Sequence, residues 1–385
     1  MQKNTKITII LITAMNLRLA ITAVTPLFSA IQRAFHVDSG LTALLVTLPL
    51  LCFSLGAIVT PRLIRTLGVI PLLWGTNGLL LVANLVRPIN TVTLLGGTIF
   101  IGLAVAVLNV LVPTMIAQTT TTGVTKLTST YAVTMNVLAA LGTAVAIPLA
   151  NLWGWQLVFR LFSLPAVLTL LALFRLPRGS FPQQAAATSQ STSLWATLRH
   201  DTTARRLTLF MGLQSLIFYS LTTWLPTIFQ ARGASTTLAG NLLAIFQLVG
   251  IPAALVLTRV TNQRRLLWGL LGAYLLGGSA LLWSGLGWWL AAGLLGFTSS
   301  LIFTLALNLI ATSSHHVTVI ANRSAVAQSL GYLLAAVGPV VLGRLHDHFT
   351  SWLPVLAVLT GLVLLTIATG LRLSRALSAA DKRMD

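Results

Sequence analysis

The 385-residue sequence has no glutamate, five aspartates and one cysteine. Charged residues make up 8% of it, against about 25% in ordinary soluble proteins. So little polar surface cannot cover a chain of this length in water, which excludes a soluble globular protein. Asp38, Asp201, Asp347, Asp381 and Asp385 all fall between or beyond the apolar runs, and no histidine lies within one. An intramembrane enzyme needs a nucleophile–base pair or a set of metal ligands in its spans, and the runs supply neither. No enzyme is expected. Cys52 stands alone, so no intrachain disulfide forms. "HDH" at 346–348 holds too few ligands for a metal site; no metal and no cofactor are expected.

What the chain does have is hydrophobicity, 56% by composition with a mean hydropathy of +0.90. Runs of about 20 apolar residues bounded by charges or turn residues read as membrane spans. They cover roughly 7–30, 41–60, 69–86, 92–117, 128–150, 155–174, 206–230, 238–259, 266–284, 287–312, 323–344 and 351–372. The expected fold is an all-α membrane protein of twelve transmembrane helices. Between the sixth and seventh lies a polar stretch rich in Ser, Thr and Gln, so the chain divides into bundles 1–174 and 206–385 joined by a linker at 175–205. Lys3 and Lys6 ahead of the first run superficially imitate a secretion signal, but the run is too long and lacks a small-residue cleavage site.

The net charge is +19. Its basic residues punctuate apolar runs, which points to topology and anionic lipid rather than to nucleic acid. With the N-terminus in the cytoplasm, 18 Lys and Arg fall on the inner side. Four fall on the outer side, Arg33, Arg87, Arg232 and Arg344, and Arg18 and Arg160 lie within spans. The positive-inside rule therefore places both termini in the cytoplasm. Arg160 is expected to snorkel to the outer interface beside the tryptophans of "WGWQ".

The halves echo each other. "ITAVTPLF" (21–28) and "SLTTWLPTIF" (220–229) align Thr22 with Thr222 and Pro26 with Pro226 at an offset of 200, as do Gly40 and Gly240. "LAALG" (138–142) and "LAAVG" (334–338) repeat the pattern in spans 5 and 11. Two echoes at corresponding places indicate duplication of a six-span unit.

Arg18 is the anomaly. It sits about 16 Å into an apolar run, where a guanidinium costs at least about 2.5–3.5 kcal/mol. On a continuous helix at about 100° per residue, Thr22, Thr25 and Ser29 share its face, and Asn16 lies on another. A charge in a span faces the bundle interior or a watery cavity. With no carboxylate in any span, an anionic substrate is the favoured partner, taken by the planar guanidinium fork; a structural or field-shaping role is the alternative.

The motifs "NLRLAITAVTPLF", "LVTLPLLCFSLGAIVTPRLIRTLG", "GLAVAVLNVLVP", "YAVTMNVLAALGTAVAIPLA", "YSLTTWLP" and "AQSLGYLLAAVGPVVLGRLHD" fall in order along nearly the whole chain. They resemble the cyanate and 2-nitroimidazole transporter branch of the major facilitator superfamily. Two departures stand out. The loop after span 2 has Pro61 and Arg62 but no acid, and span 4 offers Asn109 where proton-coupled relatives carry an arginine. The resemblance implies that spans 1, 4, 5, 7, 8, 10 and 11 line the substrate cavity. Its candidate lining residues are then Arg18, Thr22, Asn109, Tyr131, Asn136, Gln214, Tyr219, Gln247, Thr304, Asn308, Gln328 and Tyr332, with Pro26 and Pro226 as gating kinks. Interhelical hydrogen bonding is the plainer role for each neutral one.

The expected function is secondary transport of a small anion or small planar polar compound. Alternating access would expose a midplane site between the halves, centred on Arg18. Efflux of neutral nitro-heterocycles or drugs is the second expectation, and a channel fits a duplicated chain less well. Without a membrane-embedded acid, cationic substrates and a carboxylate proton relay are disfavoured. The partners expected are a small-molecule substrate and anionic lipid, the chain acting as a monomer in a bacterial cytoplasmic membrane.

Overall fold

The computed structural model describes residues 2–119, 124–176, 180–181, 194–252, 256–257, 260, 262–314 and 317–381. Residues 177–179 and 182–193 of the expected linker, His315, His316, Arg259 and residues 382–385 lie outside the described residues. Among the described residues all regular structure is helical, as a lipid-embedded backbone requires, because a helix satisfies its own N–H and C=O groups. The chain folds as two compact units, Met1–Thr188 and Ser189–Asp385.

The first unit contains α1 (Gln2–Met15), α2 (Leu19–Thr22), a 3-10 turn (Thr25–Leu27), α3 (Phe28–Phe35), α4 (Ser39–Leu67) and α5 (Val69–Val86). It continues with α6 (Thr91–Thr119), α7 (Val124–Trp153), α8 (Trp155–Leu161) and α9 (Leu164–Leu173). The second contains α10 (Leu194–His200), α11 (Thr202–Ala231), α12 (Thr236–Leu248), α13 (Gln263–Ala280), α14 (Leu286–Ala311), α15 (Val317–Phe349) and α16 (Leu353–Asp381).

Among the described residues nine stretches are long and apolar enough to cross a membrane. The stretches expected at 206–230, 238–259 and 266–284 are not among the nine. The reason differs for each. α11 carries Arg205 and Arg206 near its start and buries Gln214, Ser215, Ser220, Thr222 and Thr223, which dilutes its apolarity. α12 is 13 residues long, and its expected continuation runs into positions outside the described residues. α13 begins with Gln263, Arg264 and Arg265.

The first expected span is not one helix. α1 ends at Met15, residues 16–18 form a turn, and α2 lasts 4 residues before the 3-10 turn that holds Pro26. Pro26 has no N–H to give the Thr22 carbonyl four residues back, and the Thr25 hydroxyl donates to that carbonyl at 3.1 Å instead. The Thr22 hydroxyl donates to the Arg18 carbonyl at 3.2 Å. Of the hydroxyls expected beside Arg18, those of Thr22 and Thr25 thus bond to backbone carbonyls of this segment. Pro226, by contrast, lies inside the uninterrupted α11.

The sequence echoes occupy matching places. A Cβ on Gly142 of α7 would lie 2.2 Å from Leu19 Cδ1 in α2, and one on Gly338 of α15 would lie 2.5 Å from Ser220 Oγ in α11. In each unit the helices expected as its first and fifth spans therefore meet at a glycine of the repeated motif. In the second unit Trp224 Nε1 adds a 2.9 Å bond to the Pro339 carbonyl.

Candidate functional site

The break in the first span positions Arg18. It is the residue that precedes α2, with φ −127° and ψ −30°, and its half-buried side chain leaves the helical line. Its Nη1 donates to Asn136 Oδ1 of α7 at 2.9 Å. The structure thus brings together Arg18, Thr22 and Asn136; Tyr131 also lies on α7. An amide accepts a hydrogen bond without neutralising a cation, and a guanidinium has five N–H donors. Asp38 is the one acid in residues 1–188, and it caps α4 by accepting from the Leu41 N–H at 2.7 Å.

Two further groups on the break carry no signal in the sequence. Asn16, expected on a face away from Arg18, is buried and donates through Nδ2 to Asn77 Oδ1 at 3.4 Å and Thr169 Oγ1 at 3.5 Å. These long bonds tie the turn to α5 and α9. Arg87, counted among the outer-side charges, is fully buried. Its Nη1 donates to the Ala20 carbonyl at 2.9 Å and its Cζ lies 4.9 Å from the centroid of the Phe159 ring. The physical reason is again the break, which offers a carbonyl within reach of a side chain folding back from the end of α5. Arg160 is exposed; Trp155 is buried, its ring 5.3 Å from those of Phe35 and Phe159.

In the second unit the structure brings together rings. Tyr219 packs edge-on against Phe218 at 5.2 Å and against Tyr332 at 6.4 Å, and Phe218 lies 5.8 Å from Phe246. Gln247 is buried next in sequence to Phe246. Other expected lining residues turn onto their own helices. Gln214 Nε2 donates to the Met211 carbonyl at 3.1 Å and to Ser215 Oγ at 2.6 Å, while its buried Oε1 has no hydrogen-bond partner among the described residues. Gln328 Nε2 donates to Ser324 Oγ at 2.8 Å, and Thr304 to the Ser300 carbonyl at 2.8 Å. Asn308 is half-buried and Asn109 is exposed on α6. An apolar cavity of about 280 Å³ lies elsewhere, walled by Ile217, Leu221, Tyr274, Leu295 and Leu356, and contains none of the expected site residues.

One charged network closes the start of α11. Asp201 accepts from the Thr203 and Ala204 N–H groups at 2.8 and 3.0 Å, and from Arg323 Nε at 2.6 Å. Arg323 Nη1 also reaches the Ser313 carbonyl. Burial pushes the Asp201 carboxyl up, but the bond from Arg323, those from the backbone and the Arg323 charge outweigh it, holding the carboxyl below its usual range.

Known proteins resolve the family. The sequence profile of the Major Facilitator Superfamily matches residues 10–332. The chain belongs to the major facilitator superfamily. It is 35% identical over 372 residues to the uncharacterized transporter YycB of Bacillus subtilis, covering 94% of this chain and 92% of that protein. It is 34% identical over 356 residues to the 2-nitroimidazole transporter of Escherichia coli, covering 89% and 88%. Among solved structures, a D-xylose–proton symporter superposes with a TM-score of 0.76 at 14% identity, covering 96% of this chain and 97% of that one. A bacterial homologue of the lysosomal transporter Spinster, inward-facing and unoccupied, gives 0.70 at 15%, covering 98% and 95%. These relatives and structural neighbours are transporters, and this chain is a multi-pass membrane transporter rather than an enzyme.

Proposed function

We propose that this protein is a secondary transporter of a small anion or small planar polar compound, with Arg18 receiving the substrate's anionic or acceptor end. The observation that carries the reading is the Arg18 guanidinium displaced from a broken helix and bonded at 2.9 Å to a neutral amide, Asn136. The amide orients the planar fork, which suits a two-oxygen acceptor, and leaves its charge in place. Thr22, Tyr131 and Asn136 complete the polar surroundings. Pro26 shapes the break as a gating kink, and Pro226 is its counterpart in α11.

A second reading, transport of neutral nitro-heterocycles, is favoured by the ring cluster of Phe218, Tyr219, Phe246 and Tyr332 and by the likeness to a 2-nitroimidazole transporter. A nitro group also presents two oxygens, so both readings assign Arg18 the same work. Asn109, Gln214, Gln247, Thr304, Asn308 and Gln328 are the further polar contacts of the proposal. Its architecture is twelve spans in duplicated bundles, 1–174 and 206–385, joined by 175–205, with both termini cytoplasmic in the cell membrane and the chain acting as a monomer by alternating access.

The test is ligand-dependent thermal stabilisation of the purified chain and of Arg18→Gln. The panel holds cyanate, nitrate, nitrite, formate, small carboxylates and neutral nitroimidazoles. A ligand that binds the folded state raises stability by roughly RT ln(1 + [L]/Kd). An anion or nitro compound that stabilises the wild type and not a well-folded Arg18→Gln supports the reading. A neutral heterocycle that stabilises both proteins equally, with anions inert, overturns the role of Arg18.

A further inference from the structure

Another guanidinium of the first unit has no part in the reading above. Arg87 is, among the described residues, the one charged side chain buried to 0% exposure. Its stem is pressed against α6, where a Cβ on Gly97 would come within 3.1 Å of Arg87 Cβ. The Phe159 ring covers its Cζ at 4.9 Å, and Nη1 is committed to the Ala20 carbonyl at 2.9 Å. Nε and Nη2 are buried and have no hydrogen-bond partner among the described residues. These two nitrogens form one edge of the planar group, and that edge is the fork that receives two oxygens, or one spherical ion, side-on. A buried cation whose best donor edge is unbonded is among the least favourable arrangements a fold contains unless a counter-charge meets it.

The neighbouring groups supply no such charge. Asn84, one turn earlier on α5, donates through Nδ2 to the Leu80 carbonyl at 2.8 Å and has a buried, unbonded Oδ1. Thr98 on α6 donates to its own helix at the Leu94 carbonyl. Asp38 is the unit's one acid and is engaged at the α4 cap. We propose that the Nε–Nη2 edge of Arg87 is a second anion site, separate from Arg18, that holds one small monovalent anion: a halide, or a two-oxygen anion such as nitrate or formate. Because the same guanidinium grips the Ala20 carbonyl, two residues from Arg18, an anion held there also fixes the broken segment. The site does not depend on Arg18 being where substrate binds.

The experiment titrates chloride, nitrate and formate into the full-length chain, purified in a gluconate buffer, while its unfolding temperature is followed. Wild type, Arg18→Gln, Arg87→Gln and Arg87→Lys are compared. The expected result is saturable stabilisation of wild type and Arg18→Gln by chloride, with the half-saturating concentration raised at least about tenfold in both Arg87 variants, the loss of one charge-assisted bond or more. Chloride acting alone marks a resident ion; nitrate or formate competing with it marks the site as accessible to transported anions. A chloride response unchanged by the Arg87 substitutions overturns the proposal. Removal of a buried charge can unfold the chain, so the wild type is also crystallised in bromide. An anomalous peak within hydrogen-bonding distance of both Nε and Nη2 supports the site. A water bridging Arg87 to Asn84, with no anomalous signal there, overturns it.

Discussion

A neutral amide is an unusual first partner for a cation in an apolar span, and the Arg18–Asn136 pair can be turned against itself. In Asn136→Asp the 2.9 Å bond becomes an ion pair, and the carboxylate becomes a tethered competitor for any anion. Stabilisation by the anion should then need at least about tenfold more ligand, while the unfolding temperature of the empty protein stays level or rises. Asn136→Ala removes one hydrogen bond to a charged group, about 1.5–3 kcal/mol, and should weaken the anion response far less than Asn136→Asp does. Equal anion affinity in Asn136→Asp and wild type would sink the assignment of Arg18. Arg18 was legible because a lone charge in an apolar run is conspicuous. Arg87 was not, since it follows its run as any interfacial arginine does, and only a distant broken helix gives its side chain somewhere to go. The break itself was not legible either, since "MNLRL" contains no glycine or proline to announce it.

At the scale of elements, close helix packing decides which substitutions the bundles tolerate. Gly296 on α14 faces the backbone of α12, where an added Cβ would lie 2.2 Å from the Phe246 carbonyl oxygen and 2.7 Å from its Cα. A backbone cannot rotate away as a side chain does, so Gly296→Ala forces the helices apart. Overpacking of this kind costs about 1–3 kcal/mol. Phe246 is 5.8 Å from Phe218, so the displacement also reaches the ring cluster. Gly272 on α13 is the control, with nothing within 4 Å of its added Cβ; an alanine there should stabilise the helix by up to about 0.5–1 kcal/mol. Unfolding temperatures should therefore move in opposite directions for the two variants. A neutral Gly296→Ala would show that α12 and α14 are less tightly apposed. The repeated glycines of "LAALG" and "LAAVG" were legible as an echo, but their use as packing points needed the partner helices.

For the whole molecule, the distribution of charge is the main guide to orientation, since 18 of the basic residues fall on one side of the proposed spans. The three weakest spans, those at α11, α12 and α13, make this worth testing directly, because losing one would invert everything after it. Their weakness has a physical origin: α11 hides its hydroxyls and Gln214 inside the unit, and hydropathy counts a buried polar face as though lipid met it. The chain's single cysteine, Cys52, is itself buried, so a Cys52→Ser background is free of reactive thiols. Ile89, between α5 and α6, is 58% exposed, and Trp195, on α10, is 71% exposed. Ile89→Cys should react with a membrane-impermeant maleimide on intact cells, whereas Trp195→Cys should react only after permeabilisation. A third variant, Thr236→Cys at the exposed start of α12, should behave like Ile89→Cys, because α11 has crossed once more. If Thr236→Cys instead labels with Trp195→Cys, α11 does not span, and the duplicated six-plus-six architecture falls with it.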